Sequence, residues 1–300
     1  MKKVPFIFSL LLGAFRVIAQ QDPIYSQYFN NPMLLNPAFA GSNDRLYAGV
    51  AYRAQWAGIT GGPVSYNFNS HIALVGNKVG LGLMAVQDQL GDIKNTTVGT
   101  TYSYRIKLRH STSFSFGMQT GFTRYTTDPN AVKLFNNPDP AFNQFTETKF
   151  NTGVGLLLQS EKFLLSLSVP RMLPSTVSSQ GGQSIQVYSQ TYYLYSAYSF
   201  FLSERWQFRP SVLLRAAQGT PLSADLNANF NIDRKYTAGV FTRSFTTYGA
   251  LVQLVMQNYR FGYVFEVPGK GSALNFNTHE ISLALSLDVL KSHDHSVTGF

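Results

Sequence analysis

No cysteine occurs anywhere in the 300-residue chain, which excludes a disulfide framework, a thiolate metal site and a cysteine-linked lipid anchor. Charge is scarce as well: 13% of residues are Asp, Glu, Lys or Arg, about half the roughly 25% of an ordinary soluble domain. Long apolar runs are missing. With a mean hydropathy of −0.06 and no stretch near the ~20 residues of a membrane helix, a helical membrane bundle is excluded. The 24 Lys and Arg outnumber the 15 Asp and Glu, but they form no basic stripe of the kind that tracks phosphates, so nucleic acid is not an expected partner.

What the chain has instead is aromatic and finely alternating. Aromatics make up 14% of residues and the apolar fraction is an ordinary 44%. Low charge with middling hydropathy fits a membrane β-barrel, where lipid-facing and lumen-facing residues interleave and window averages cancel.

The amino terminus reads as an export signal. Lys2 and Lys3 precede an apolar stretch from Val4 to Phe15, and Val17-Ile18-Ala19 supplies the modest side chains a signal peptidase reads, which places cleavage after Ala19. The stretch is too short to span ~30 Å of hydrocarbon as an anchor.

Beyond residue 44 the period is two. Val64, Tyr66, Phe68, Ser70, Ile72 and Leu74 alternate with Ser65, Asn67, Asn69, His71 and Ala73. Residues 112 to 122, 222 to 231 and 279 to 289 repeat the pattern, one face greasy and the other rich in Ser, Asn, Gln or Gly. A soluble sandwich shows the same alternation. The spacing predicts about fourteen strands, at 45–55, 63–74, 78–88, 96–108, 111–124, 148–159, 161–169, 187–201, 205–217, 222–231, 235–244, 246–257, 258–266 and 278–289. Every second connection is a tight turn, whereas those between (56–62, 89–95, 125–147, 170–186, 218–221, 245 and 267–277) are mostly long. An up-and-down outer-membrane barrel has this asymmetry, with short periplasmic turns and long outer loops; Greek-key crossovers give no reason for it. The expected fold is therefore all-β: a transmembrane barrel over 45–290, after a signal peptide at 1–19 and a separate segment at 20–44, with a short tail at 291–300.

The 20–44 segment has neither period. Asn31-Pro32 and Asn36-Pro37 mark turns or extended links, because the proline ring disfavours the helical region for the residue before it. Tyr25, Tyr28, Phe29, Met33, Leu34, Leu35 and Phe39 are too apolar for a free tail. Two readings stand: a plug packed in the lumen, or a strip that docks a partner.

The opening Asp22-Pro23, Tyr25, Gln27-Tyr28, followed by Asn31-Pro32, Asn36-Pro37 and Gly41, resembles the signature of the PorP/SprF family of type IX secretion system membrane proteins of Bacteroidetes. The resemblance continues through Tyr52-Arg53 with Gln55-Trp56, Gly80-Leu81-Gly82, Gly153, Gly155, Pro210-Ser211-Val212 and His279-Glu280, covering essentially the whole chain past the signal. It implies an outer-membrane barrel that works in protein secretion, gliding motility and the display of a large secreted surface protein or adhesin. The implied partners are that cargo, type IX components on the periplasmic side, and membrane lipid.

No catalytic, cofactor-binding or metal site is expected. His279 and Glu280 are adjacent, so a strand sends them to opposite faces where they cannot share a proton, and no Gly-x-Ser-x-Gly elbow accompanies them. His293, Asp294 and His295 read as a solvated tail, and the acidic residues of 125–147 as turn formers. Arg53, Arg105, Arg209, Arg215 and Arg243 fall within strands; an arginine facing mid-bilayer lipid costs roughly 2 to 4 kcal/mol, so they should face the lumen or lie near an interface. Three function classes follow, in order of expectation: a barrel that binds, exports or anchors a surface protein, a porin or small-molecule transporter, and an outer-membrane enzyme.

Overall fold

A computed structural model describes residues 28, 31–109, 111–127, 146–178, 184–270 and 275–289. The expected signal peptide at 1–19, the expected tail at 291–300 and most of the 125–147 connection lie outside these.

Among the described residues there are seventeen strands: β1 (Leu46–Ala54), β2 (Val64–Leu74), β3 (Val79–Leu90), β4 (Ile93–Arg109), β5 (Thr112–Thr127), β6 (Thr146–Gln159), β7 (Phe163–Val169), β8 (Ser175–Ser178), β9 (Ser184–Tyr188), β10 (Thr191–Tyr198), β11 (Phe200–Phe201), β12 (Trp206–Ala217), β13 (Ser223–Ile232), β14 (Tyr236–Arg243), β15 (Thr247–Met256), β16 (Tyr259–Pro268) and β17 (Thr278–Leu287). Fourteen of them make the barrel. Consecutive strands pair antiparallel from β1 to β7, β10 joins β7 to β12, and β17 closes on β1 with Leu46 opposite Leu287 and Ala54 opposite His279. Closure leaves no lipid-exposed edge with unsatisfied backbone groups, the condition for spanning hydrocarbon with strands. β8 and β9 form a separate hairpin, and β11 is a two-residue extension paired to β12.

Alternation decides what faces where. In β2, Ser65, Asn67, Asn69, His71 and Ala73 are buried in the lumen, while Tyr66 and Phe68 are exposed to lipid. Exposed aromatics gather towards the two rims: Trp206, Tyr236 and Tyr259 begin their strands at one end, and Tyr52, Tyr66 and Tyr248 lie near the other. These are the girdles expected where amphipathic rings meet headgroups. At one rim the connections are short, as at 110–111, 160–162 and 257–258; at the other they include 128–145 and 170–190. By the barrel rule the short-turn rim is periplasmic, and the chain enters β1 from that side.

Two local expectations are corrected. The 89–95 connection is a two-residue turn at Gly91 and Asp92, because β3 and β4 run on as a paired hairpin with Leu90 opposite Ile93. Gly91 takes φ +56°, the left-handed value a tight hairpin of this length needs at its first position. The polar run from Gln87 to Asn95 looks like loop in sequence, yet it is strand above the membrane, where polar side chains meet water. The other correction is at the 170–186 connection, which runs on to residue 190, carries the strands β8 and β9, and turns inward: Gln119 Nε2 donates to the Pro170 carbonyl (2.6 Å) and Asn151 Nδ2 to that of Leu173 (2.6 Å).

Candidate functional site: the lumen plug and its seat

Residues 31–44 lie inside the barrel at the short-turn end. Asn31-Pro32 and Asn36-Pro37 each open one turn of 3-10 helix, Pro32–Leu34 and Pro37–Phe39, because proline at the first helical position is pre-set in φ and gives up an N–H that has no intrahelical partner. Asn36 caps the second turn by accepting from the Ala38 N–H (2.8 Å). The same side chain fastens the plug to the wall, its amide nitrogen donating to the Leu156 carbonyl (2.8 Å) and to Ser166 Oγ (2.7 Å). Asn36 is fully buried with its polar atoms engaged.

Further bonds run along the segment. Ser168 Oγ donates to the Leu35 carbonyl (2.6 Å) and Ser103 Oγ to that of Ala40 (2.7 Å). Arg105 holds the exit, donating to the Gly41 carbonyl (2.7 Å) and pairing with Asp44 (2.7 Å). The Gly41 N–H donates to His71 Nδ1 (3.2 Å), and Tyr28 accepts from Asn227 Nδ2 (2.6 Å). Burial raises the Tyr28 hydroxyl pKa well above that of an ordinary phenol, so it stays protonated.

The seat is made of missing side chains. A Cβ at Gly117 would fall on the backbone of Pro37 and Ala38, one at Gly155 on the Asn36 amide, and one at Gly80 on the Ala40 carbonyl. The wall strands and the plug therefore touch backbone to backbone. Around this seat Tyr28, Met33, Ala38, Phe39 and Ala40 form one apolar cluster with Met84, Leu157, Leu164, Tyr193, Tyr195 and Leu213 of the wall. At roughly 1.5 to 3 kcal/mol for each large apolar side chain fully buried, this cluster holds the segment far more firmly than the hydrogen bonds alone.

A second constellation lies in the lumen near the long-loop rim. Arg53 and Glu280 are directly opposite in the β1–β17 register, as are Ala54 and His279, so two sequence motifs more than two hundred residues apart meet on adjacent strands. Arg53, 2% exposed, makes two bonds to Glu266 (2.9 and 2.8 Å) and one to Glu280 (3.2 Å). Arg243 extends the chain to Asp225 (3.1 Å). A buried guanidinium is tolerable only when charges of this kind compensate it.

The remaining motif residues scatter. Tyr52 packs against Tyr66 outside the barrel with the two rings tilted, Gln55 donates its backbone N–H to the Pro63 carbonyl, and the Trp56 N–H bonds to Thr278 Oγ1. His279 shares a hydrogen bond with the Tyr263 hydroxyl (2.8 Å) on the outer face while Glu280 points inward. Asp22, Pro23, Tyr25 and Gln27 lie outside the described residues. Sequence reasoning missed Glu266, Asp225 and Gly117, and it named Gly80 and Gly155 only as family motif residues without their seating role; the glycines' recurrence at lumen-facing positions of β3, β5 and β6 was the available signal.

Replacing Asn36 by alanine removes the cap and leaves the Ala38 N–H and the Ser166 hydroxyl short of a partner in a dry site. Each buried unsatisfied group costs about 1 to 3 kcal/mol. The variant should still form a barrel but lose protection of residues 31–44 from protease added to the detergent-solubilised protein.

The type IX secretion system membrane protein PorP/SprF model matches residues 17–285, from before the plug through nearly all of β17. The chain belongs to the PorP/SprF family. It is thus a type IX secretion barrel of the outer membrane, and the Asn-Pro opening that carried the resemblance is the segment seated in its lumen. No curated protein matches it in sequence. Among solved structures it is similar in fold to the CymD monoaromatic hydrocarbon channel (13% identity, 91% of this chain and 94% of that one, TM-score 0.54). The P. putida toluene transporter TodX is similar too (10% identity, 87% and 93%, TM-score 0.50). At such identities the likeness concerns the fold.

Proposed function

We propose that this PorP/SprF barrel binds, helps export or anchors a large cell-surface protein, an adhesin of the secretion and gliding machinery, after reaching the outer membrane by its signal peptide. The observation that carries the reading is the seated plug. A barrel whose lumen is occupied at its short-turn end by its own chain, fastened through Asn36, Arg105 and an apolar cluster, is built as a scaffold rather than a conduit. The long outer loops offer the cargo-facing surface, and the short-turn rim, where the plug enters, faces type IX components in the periplasm. No chemistry is assigned to the barrel itself.

Passage of small molecules is the second reading. It draws on the fold shared with a hydrocarbon channel and a toluene transporter, and requires the plug to leave or shift.

Surface display of the cargo in cells tests the first reading. Tyr28→Ala, and Asn36-Pro37→Gly-Gly, should leave a heat-modifiable barrel in the outer membrane, since strand closure uses none of these residues, yet lower the displayed cargo several-fold. Normal display from inserted variant barrels would reduce the plug to packing and contradict the docking role.

A further inference from the structure

Beside the plug, at the short-turn end of the lumen, lies a cavity of about 520 Å³ that the packing leaves unfilled. It reaches the rim, because Arg234 and Asn258 of the turns between β13 and β14 and between β15 and β16 line it. Its lining contains four arginines, Arg45, Arg209, Arg234 and Arg260, and no Asp or Glu. The nearby carboxylates are already engaged: Asp288 with Arg45 (2.8 Å) and Asp233 with Arg205 (2.7 Å). Among the described residues Arg209, Arg234 and Arg260 make no ion pair. Arg209 stands on β12 and Arg260 on β16, both half-buried and lumen-facing, and both line this one cavity. The hydroxyl-bearing rings of Tyr195 and Tyr47 line the same cavity.

Two like charges held together in a confined, partly desolvated space are costly unless an anion completes the site. Elsewhere in this lumen arginines meet carboxylates of the wall or plug, as Arg53 meets Glu266 and Glu280 and Arg105 meets Asp44. We propose that the cavity is a carboxylate-binding site that receives an acidic peptide segment of a periplasmic partner, its carboxylates bridging Arg209 and Arg260. Guanidinium and carboxylate match as bidentate pairs, and about 520 Å³ suits a few residues rather than a folded domain. The proposal rests on the reading that the short-turn rim faces the secretion machinery.

Titration calorimetry of the full-length protein in neutral detergent, with capped tetraglutamate as the probe, tests it. Tetraglutamate should bind, weakening as salt rises, and tetraglutamine should not. Arg209→Gln and Arg260→Gln should each weaken binding about tenfold, the loss of one charge-assisted pair. Arg171→Gln, at the opposite end, should change nothing. Should Arg209→Gln fail to give a heat-modifiable barrel, Arg260→Gln and the charge-keeping Arg209→Lys carry the test, the latter retaining most of the binding. Equal affinity for tetraglutamate and tetraglutamine, or unchanged affinity in folded Arg260→Gln, overturns the proposal. Displacement by inorganic phosphate at matching concentration also overturns it and makes the site one for small anions. Cargo display is scored separately: normal display with peptide binding lost removes this site's role and leaves the export reading standing, whereas tight peptide binding in a barrel without effect on display does the reverse.

Discussion

Valine in place of Gly117 should drive the plug out of the lumen while the barrel stays inserted. The new Cβ would occupy the space of the Ala38 nitrogen and the Pro37 carbonyl carbon, so no rotamer relieves the clash. β5 cannot withdraw, because it is paired along most of its length to β4 and β6. The plug is tied to the wall by local bonds and one apolar cluster, and is the part free to move. Overpacking of this kind costs about 1 to 3 kcal/mol where side chains can adjust, and more where two backbones meet. The cysteine-free chain offers a clean readout. Ala38→Cys, 1% exposed at its native position, should resist a membrane-impermeant maleimide in the otherwise native protein and react at least tenfold faster beside Gly117→Val. An introduced thiol that stays protected in an inserted, heat-modifiable Gly117→Val barrel would contradict the seat.

Arg53→Met should be the most destabilising single change in the barrel wall. It leaves Glu266 and Glu280 together in the lumen without the guanidinium that bridges them, Arg243 standing 3.9 Å from Glu266. Removing one partner of a buried pair costs about 3 to 5 kcal/mol. The urea midpoint for unfolding from detergent should fall accordingly. Adding Glu266→Gln and Glu280→Gln should recover most of it, because the penalty lies in the uncompensated charges rather than in lost attraction. A midpoint shift worth less than about 1 kcal/mol would mean that the acids protonate or are hydrated there.

Much of this architecture is legible in the chain. Strict alternation in 64–74 and 112–122 needs no partner information, since each residue's environment follows from the parity of its position, and the structure reproduces those strands within a few residues. Arg53, Arg105, Arg209, Arg215 and Arg243 fall on lumen-facing positions for the energetic reason that lipid would reject them. What is not legible depends on closure. Nothing near Arg53 announces Glu266, which reaches it only because β17 pairs with β1 and β16 with β17. Gly80, Gly117 and Gly155 look like weak strand residues until the plug backbone lies on them. Gln87 to Asn95 misleads because polarity marks water, and these strands continue past the membrane into it.

Planar-bilayer conductance of the purified wild-type protein, compared with a variant lacking residues 28–44, tests the central claim most directly. A barrel sealed by its own Asn-Pro segment should give no stable current as wild type and large, long-lived steps once the segment is deleted. Stable open-channel current from the wild-type protein would contradict the plug and move the molecule into the company of the channels whose fold it shares.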